Sequence, residues 1–313
     1  MLQQSLKSQI SLMKGQKAAG KLHRWSGAHS RALYRVMRAL SSLGIFSEDE
    51  AGNFHMTQLA RLLRTGTDSL AGYAIMVGEP WSWSVEGDLL YSVKTGKPAF
   101  KHVHGMDVHD YMNLNMEVTK QFNEAMTSFS SHELEPVINA YDFSQFKTVV
   151  DVGGGHGALL AEILKSNTQM QGKLFDLRAA DEAAISIMER QGVKNRCELI
   201  PGNFFDSVPK GADAYILKRV IHDWDDDNAV AILKVCHKAM SAKSNLLIIE
   251  RVIPKGNEPS FGKLVDISML TLSGGLERSE SEFGMIFERA GFKITNIIPT
   301  MCPLSIIEAM PVY

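Results

Sequence analysis

The sequence predicts an α/β protein in two parts, a mainly helical front over residues 1–146 and a mostly parallel, helix-covered sheet over residues 147–313. Three patterns carry that prediction. From Thr148 onward, short β-branched or apolar runs alternate with stretches of helical length, which is how a parallel sheet covered on both faces reads in sequence. The last two strand-like runs, Phe292 to Ile297 and Leu304 to Ala309, are joined by the segment Pro299 to Pro303, too short for a helical crossover, so this pair should be antiparallel. Residues 66–146, by contrast, read as helical and are rich in methionine and aromatic side chains.

Bulk properties narrow the class. The 313 residues are 45% apolar and 22% charged, a globular balance, and a chain this long buries roughly three quarters of its unfolded surface. A formal charge of −2 gives no case for nucleic-acid binding. Cys197, Cys236 and Cys302 are far apart and lack metal-ligand spacing, which favours a reducing compartment over a disulfide scaffold. No apolar run approaches the roughly 18 residues of a membrane span, and the opening residues are polar and basic. A cytoplasmic protein without a membrane partner is therefore expected.

In the front part, Leu33, Val36, Met37, Leu40 and Leu43 follow the i, i+3, i+4 spacing of an amphipathic helix over Ser30 to Leu43. A polar turn, Ser47 to Asn53, leads into an extended Phe54-His-Met56, and Thr57 can cap a helix over Gln58 to Leu63. Together these read as a winged-helix unit. The first 40 residues hold eight basic side chains and no acidic ones, whereas residues 41–146 hold six basic and fourteen acidic. That basic front is either a DNA-binding surface or a solvated, partner-facing one balanced by the acidic stretch; the latter is favoured, so no nucleic-acid partner is expected. His102, His104 and His109 tempt a metal reading, but no Cys, Asp or Glu cluster completes a ligand set, so no metal is expected.

In the back part, Thr148 to Val152 is a strand that enters glycines and then a helix, Ala158 to Lys165. Lys173 to Phe175 is the next strand, followed by a helix near Ala183 to Gln191, a strand Ala212 to Leu217, a helix Asn228 to Met240 and an apolar strand Asn245 to Ile249. The loop Asp151-Val-Gly153-Gly154-Gly155-His-Gly157 sits at a strand-to-helix turn, where glycines admit close backbone approach and a helix N-terminus presents free N–H groups. Asp176 ends the second strand, where a carboxylate suits a ribose diol. The loop also satisfies a dinucleotide fingerprint. Asp151, directly before the glycines, instead repels phosphates and attracts a cationic amino-acid moiety, and the antiparallel sheet end is foreign to the ordinary dinucleotide fold.

Thr148 to Gly157 followed by Phe175-Asp176-Leu177 resembles the S-adenosylmethionine region of the caffeate and acetylserotonin type of O-methyltransferase, in its bacterial secondary-metabolite branch. The resemblance continues through Gly202 to Phe205, Leu217 to Asp226, Glu250 to Pro254, Gly274 to Arg278 and Pro303 to Glu308. In the front part it includes Gly78 to Trp81, His102 to Met106 and Phe122 to Met126. It implies a Rossmann-like, seven-stranded class I methyltransferase sheet behind a helical dimerisation and substrate-lid domain, a homodimer, and no metal. It further implies that the Gly153 to Gly157 loop holds the methionine part of the donor, Asp176 and Leu177 its ribose side, Asn203 and Phe204 the adenine, with Lys218 closing that side. His222 would be the general base, flanked by Glu250 and Glu277. Two positions depart from the family's usual residues: Asn203 stands for an acid, keeping an acceptor without charge, and Arg178 for a proline.

The chemistry fits such residues. A sulfonium methyl is already activated, so transfer needs positioning and a deprotonated acceptor, and an imidazole can take the proton of a phenol. His222 follows an apolar strand at the ligand-binding edge of the sheet, Glu250 ends the next strand within plausible reach of it, and Glu277 could approach from the other side. The competing reading of His222 is a surface histidine beside the helix start at Asp223 to Asp227. Trp81, Met106, Phe122 and Met126, with Asp223 and Met269, are the candidate residues around a small aromatic hydroxylated acceptor. Two other functions fit less of the sequence: a relative with drifted, non-methylating chemistry, and a winged-helix regulator.

Overall fold

A computed structural model describes residues 17–18, 27–64, 69–177 and 179–313, so Lys7, Lys14, Lys21, Arg24 and Arg178 lie outside the described residues. The chain forms two compact units, one comprising residues up to 84 with 109–132, the other 85–108 with 133–313. The 146/147 boundary read from sequence marks where the sheet begins. The spatial grouping instead places residues 85–108, and the end of the helix Met116–Ala140, with the strands.

In the first unit, helix α1 (Ser30–Ser42) lies on a small antiparallel sheet of β1 (Lys17–Ala18), β2 (Phe46–Glu48) and β3 (Asn53–Met56), in the order β1-β3-β2. Met37 of α1 packs with Phe46, Phe54 and Ala60, and Leu33 and Leu40 join from the same face. Val36, expected in that stripe, is 55% exposed instead. Thr57 caps the short helix α2 (Gln58–Arg61) by accepting from Ala60 N–H, and its hydroxyl donates to the Ile45 carbonyl, tying cap to hairpin.

The second unit holds a seven-stranded sheet. Its strands are β4 (Thr148–Val152), β5 (Gln171–Asp176), β6 (Cys197–Pro201), β7 (Ala214–Lys218), β8 (Asn245–Glu250), β9 (Phe292–Pro299) and β10 (Ser305–Pro311), in the order β9-β10-β8-β7-β4-β5-β6. The central pairings are parallel; β10 runs antiparallel to β9, as the short final connection required, and also to β8. Strand β6 was not visible in the sequence: five residues long, at the sheet edge and carrying Glu198 and Pro201, it lacks the apolar run of its neighbours. Successive residues of a strand point to opposite faces, and both faces are covered. Val150, Tyr215 and Leu246 join Ile232 and Phe287 on one side, while Val149, Ile216 and Leu247 join Leu160 and Met188 on the other. The chain reverses at the order switch between β4 and β7, and the C-terminal edge there is where an open α/β sheet leaves a crevice.

Candidate active site

The loop between β4 and the helix Ala158–Ser166 forms one wall of that crevice. Gly153, Gly155 and Gly157 have φ of +70°, +57° and +79°, a left-handed path that glycine adopts without strain. Space is as restrictive as angle: a Cβ on Gly157 would fall 2.3 Å from Met188, and one on Gly154 2.5 Å from the Asp151 carboxylate. The loop is pinned from β5, with Gly153 N–H donating to the Phe175 carbonyl at 2.7 Å and Gly155 N–H to Asp176 Oδ2 at 3.0 Å. Asp151 lies beneath the loop, 1% exposed, and neither carboxylate oxygen has a hydrogen-bond partner among the described residues. Burial pushes its pKa up to about 7 against the opposing pull of Lys218. Such an orphaned carboxylate is costly unless a donor or cation completes it.

Beyond β7, the strand beside β4, the chain carries His222 in a single 3₁₀ turn, Ile221–Asp223. The side chain is 7% exposed, so it is no surface histidine; the following helix, Asp226–Ala239, is capped by Asp225 instead. Nδ1 of His222 meets Glu277 Oε1 at 3.1 Å, with Glu250 Oε2 3.9 Å away on the same side. Both carboxylates therefore face Nδ1, and Glu277 does not approach from the opposite side as the sequence suggested. The other oxygen of Glu250, Oε1, accepts the backbone N–H groups of Ile221 and His222, so this residue holds the turn while Glu277 orients the ring. Nε2 is left with Asp223 Oδ1 at 3.6 Å. Burial alone would lower the imidazole pKa, but Glu250, Asp223 and the bond to Glu277 outweigh it and raise it to about 9. Glu250, buried and facing a second carboxylate, is held above the ordinary range. Glu277 is pushed up by burial yet brought below it by His222 and Arg251.

Several residues that sequence reasoning passed over hold this turn in place. Arg278, fully buried, donates to the carbonyls of Ile221 and Trp224 on either side of His222 and to Asp226 Oδ1. Leu276 N–H donates to the His222 carbonyl at 2.9 Å. Arg219 is the one non-glycine described residue at positive φ, +56°. Consecutive strand residues point oppositely, and this left-handed residue turns Arg219 back so that it and Lys218 reach the two oxygens of Glu133, at 3.2 and 2.7 Å. Glu133 is 2% exposed and sits in the helix Met116–Ala140, where nothing in its local sequence distinguishes it from a surface glutamate.

Of the other candidates, Phe204 lies beside Gly153, Asn203 is exposed and accepts from Phe205 N–H, and Leu177 is exposed beyond β5. Lys218 stands at the end of β7 in its pair with Glu133. Trp81, buried, and Phe122 and Met126, half-buried, belong to the first unit; Met106, Met269 and Asp223, all half-buried, belong to the second. His102 is committed elsewhere, with Nδ1 2.6 Å from Asp88 and its ring stacked on Tyr91. Ligand atoms of His222, Glu250 and Glu277 lie within 4.8 Å of one another, close enough for a cation, but Glu277 Oε1 already takes Arg251 at 2.9 Å.

Residues 87–293 match the family model of the O-methyltransferase domain. The chain belongs to that family. This methyltransferase is 43% identical over 288 residues to the phenazine O-methyltransferase PhzM of Lysobacter antibioticus, covering 92% of this chain and 84% of that protein. It is 37% identical over 303 residues to a mitomycin biosynthesis 6-O-methyltransferase of Streptomyces lavendulae, covering 95% and 86%. Among solved structures it resembles the O-methyltransferase NcsB1 from neocarzinostatin biosynthesis, in complex with S-adenosylmethionine and 2-hydroxy-5-methyl naphthoic acid. That match has a TM-score of 0.78 at 29% identity, over 99% of this chain and 95% of that one.

Proposed function

We propose that this methyltransferase transfers a methyl group from S-adenosylmethionine to a hydroxyl of a small, fused-ring aromatic metabolite, with His222 as general base. The observation that supports the reading is a pair of features that follow two adjacent strands: after β4, a glycine loop over a buried carboxylate, and after β7, an imidazole whose Nδ1 is engaged by Glu277. The residues fit the donor. Asp151 offers negative charge where an amino-acid ammonium would complete it, the loop backbone supplies close approach, and Asp176 presents a carboxylate at the end of β5. Asn203, Phe204 and Leu177 would border the nucleoside, and Lys218 its far side.

When bound, S-adenosylmethionine supplies a sulfonium carbon open to in-line displacement and leaves as S-adenosylhomocysteine. The chain's part is to place the acceptor oxygen and remove its proton. With Nδ1 occupied by Glu277, Nε2 is the atom that takes the phenolic proton, and the resulting imidazolium sits against two buried carboxylates. A phenol of pKa about 10 is mostly protonated at neutral pH, so this step is worth roughly 10²–10⁴ in rate. The aromatic acceptors of the relatives support a flat ring system here. Met106, Asp223 and Met269, all of the second unit, are the side chains proposed to border it, and the chain is proposed to act as a homodimer.

A screen of hydroxylated phenazines and naphthoic acids with methyl-labelled donor, read by mass, tests the reaction. The His222→Gln variant should bind donor within a few-fold of wild type and methylate about 10²–10⁴ more slowly; an unchanged rate removes His222 from the mechanism.

A further inference from the structure

Arg251 has no part in the scheme above, yet it is among the most deeply buried side chains of the second unit. It follows Glu250 directly and is 2% exposed. A buried guanidinium is tolerable only when its charge is matched, and two carboxylates from distant segments match this one. Nη1 donates to Glu277 Oε1 at 2.9 Å, and Nη2 lies 3.9 Å from Glu133 Oε1. The oxygen that Arg251 takes is the same one that His222 Nδ1 reaches, while Glu277 Oε2 has no hydrogen-bond partner among the described residues. One oxygen thus serves both donors, and the position of the carboxylate is defined from the Arg251 side as well as by the imidazole. Glu133 is itself fixed by Lys218 and Arg219, on the two residues that lead into the His222 turn.

We propose that Arg251, anchored by Glu133, is a positioning residue: it holds Glu277 Oε1 against Nδ1 of His222, so that Nε2 remains the atom that takes the acceptor's proton. The inference rests on the reading of His222 as base. It differs from simple charge balance in what it requires, because a mere counter-ion would not dictate the imidazole tautomer. The charged groups facing the ring are Glu250 from β8, Asp223 from its own turn, Glu277 from the loop before Arg278, and Arg219 from the end of β7. None of these residues is itself substituted when Arg251 is replaced.

The test uses full-length protein labelled with ¹⁵N-histidine, the His222 signals being assigned by their loss in His222→Gln. In the wild type the neutral ring should carry its proton on Nδ1. In Arg251→Met a positive charge leaves the surroundings of the ring and Glu277 loses its second tether, so the midpoint of the His222 titration should rise by about half a unit or more, and the other tautomer should appear. Methylation at saturating substrates should fall about ten- to a hundred-fold with donor affinity kept, and Arg251→Lys should recover part of both effects. A folded Arg251→Met protein that keeps the wild-type tautomer overturns the proposal, whatever its midpoint. If that variant does not fold, Glu133→Gln decides: it keeps Arg251 and Glu277, frees positive charge toward the ring and should lower the midpoint, and an unmoved midpoint overturns the proposal. Failure of the base reading shows itself separately, as an undiminished methylation rate in His222→Gln while the tautomer results stand.

Discussion

At the scale of single residues, the site turns on where one proton resides. A base must be unprotonated to act, and His222 has a pKa raised to about 9 by its surrounding carboxylates. At neutral pH only about one ring in a hundred is therefore ready, and a cation docked nearby lowers the pKa by repulsion. The methylation rate at limiting acceptor should accordingly rise with pH and level off at or below about pH 9. Stopped assays across pH 6–10 check this, and a rate that falls over that span is incompatible with His222 acting as base. The proposed base and its flanking carboxylates, His222, Glu250 and Glu277, were named through the family resemblance, with their places after strands or in a glycine-rich loop in support. Glu133 and Arg251 were not. A lone glutamate in a long helix and an arginine after a strand carry no pattern; only the fold brings them within 3.9 Å of each other.

At the scale of elements, two short loops must meet for the site to exist. Gly275 shows how close that meeting is: a Cβ there would lie 2.1 Å from the His222 carbonyl oxygen and 2.8 Å from the Asp223 carbonyl carbon. Both are backbone atoms, so no side chain can rotate to relieve the clash. The Gly275→Ala variant should lose methylation by about ten-fold or more and unfold at lower temperature, by an amount corresponding to about 1–3 kcal/mol. A variant with wild-type melting and turnover would mean that the loop lies elsewhere. The central strands and their helices were legible because both faces of a parallel sheet are buried and the strands are continuously apolar. Edge strand β6 was lost for the converse reason, and Val36 shows that helical spacing alone does not say which residue at the rim of a stripe is covered.

At the scale of the whole molecule, helix-borne apolar side chains remain in water. On the helix Leu89–Thr95, Leu90 and Val93 are 62% and 66% exposed, and spacing of three residues puts them on one face. A second copy of the chain would cover such surface. Light scattering should give a mass near 69 kDa, twice the 34.6 kDa of one chain; a value of one chain mass at micromolar concentration refutes the homodimer. The 146/147 boundary was legible as a change of pattern, whereas the grouping of residues 85–108 with the sheet depends on tertiary packing that periodicity does not encode.

The carboxyl group of Asp151 has a calorimetric consequence. With a pKa of about 7 it is close to half-protonated in the free protein at neutrality. A positively charged ligand arriving over it favours the ionised form, so complexation must eject a fraction of a hydrogen ion into the medium. Titrations of S-adenosylmethionine into the protein at pH 7 should then give heats that change with the ionisation enthalpy of the buffer, and this dependence should shrink in Asp151→Asn to whatever His222 contributes. Identical heats in phosphate and Tris would mean that Asp151 keeps its charge state when the ligand docks.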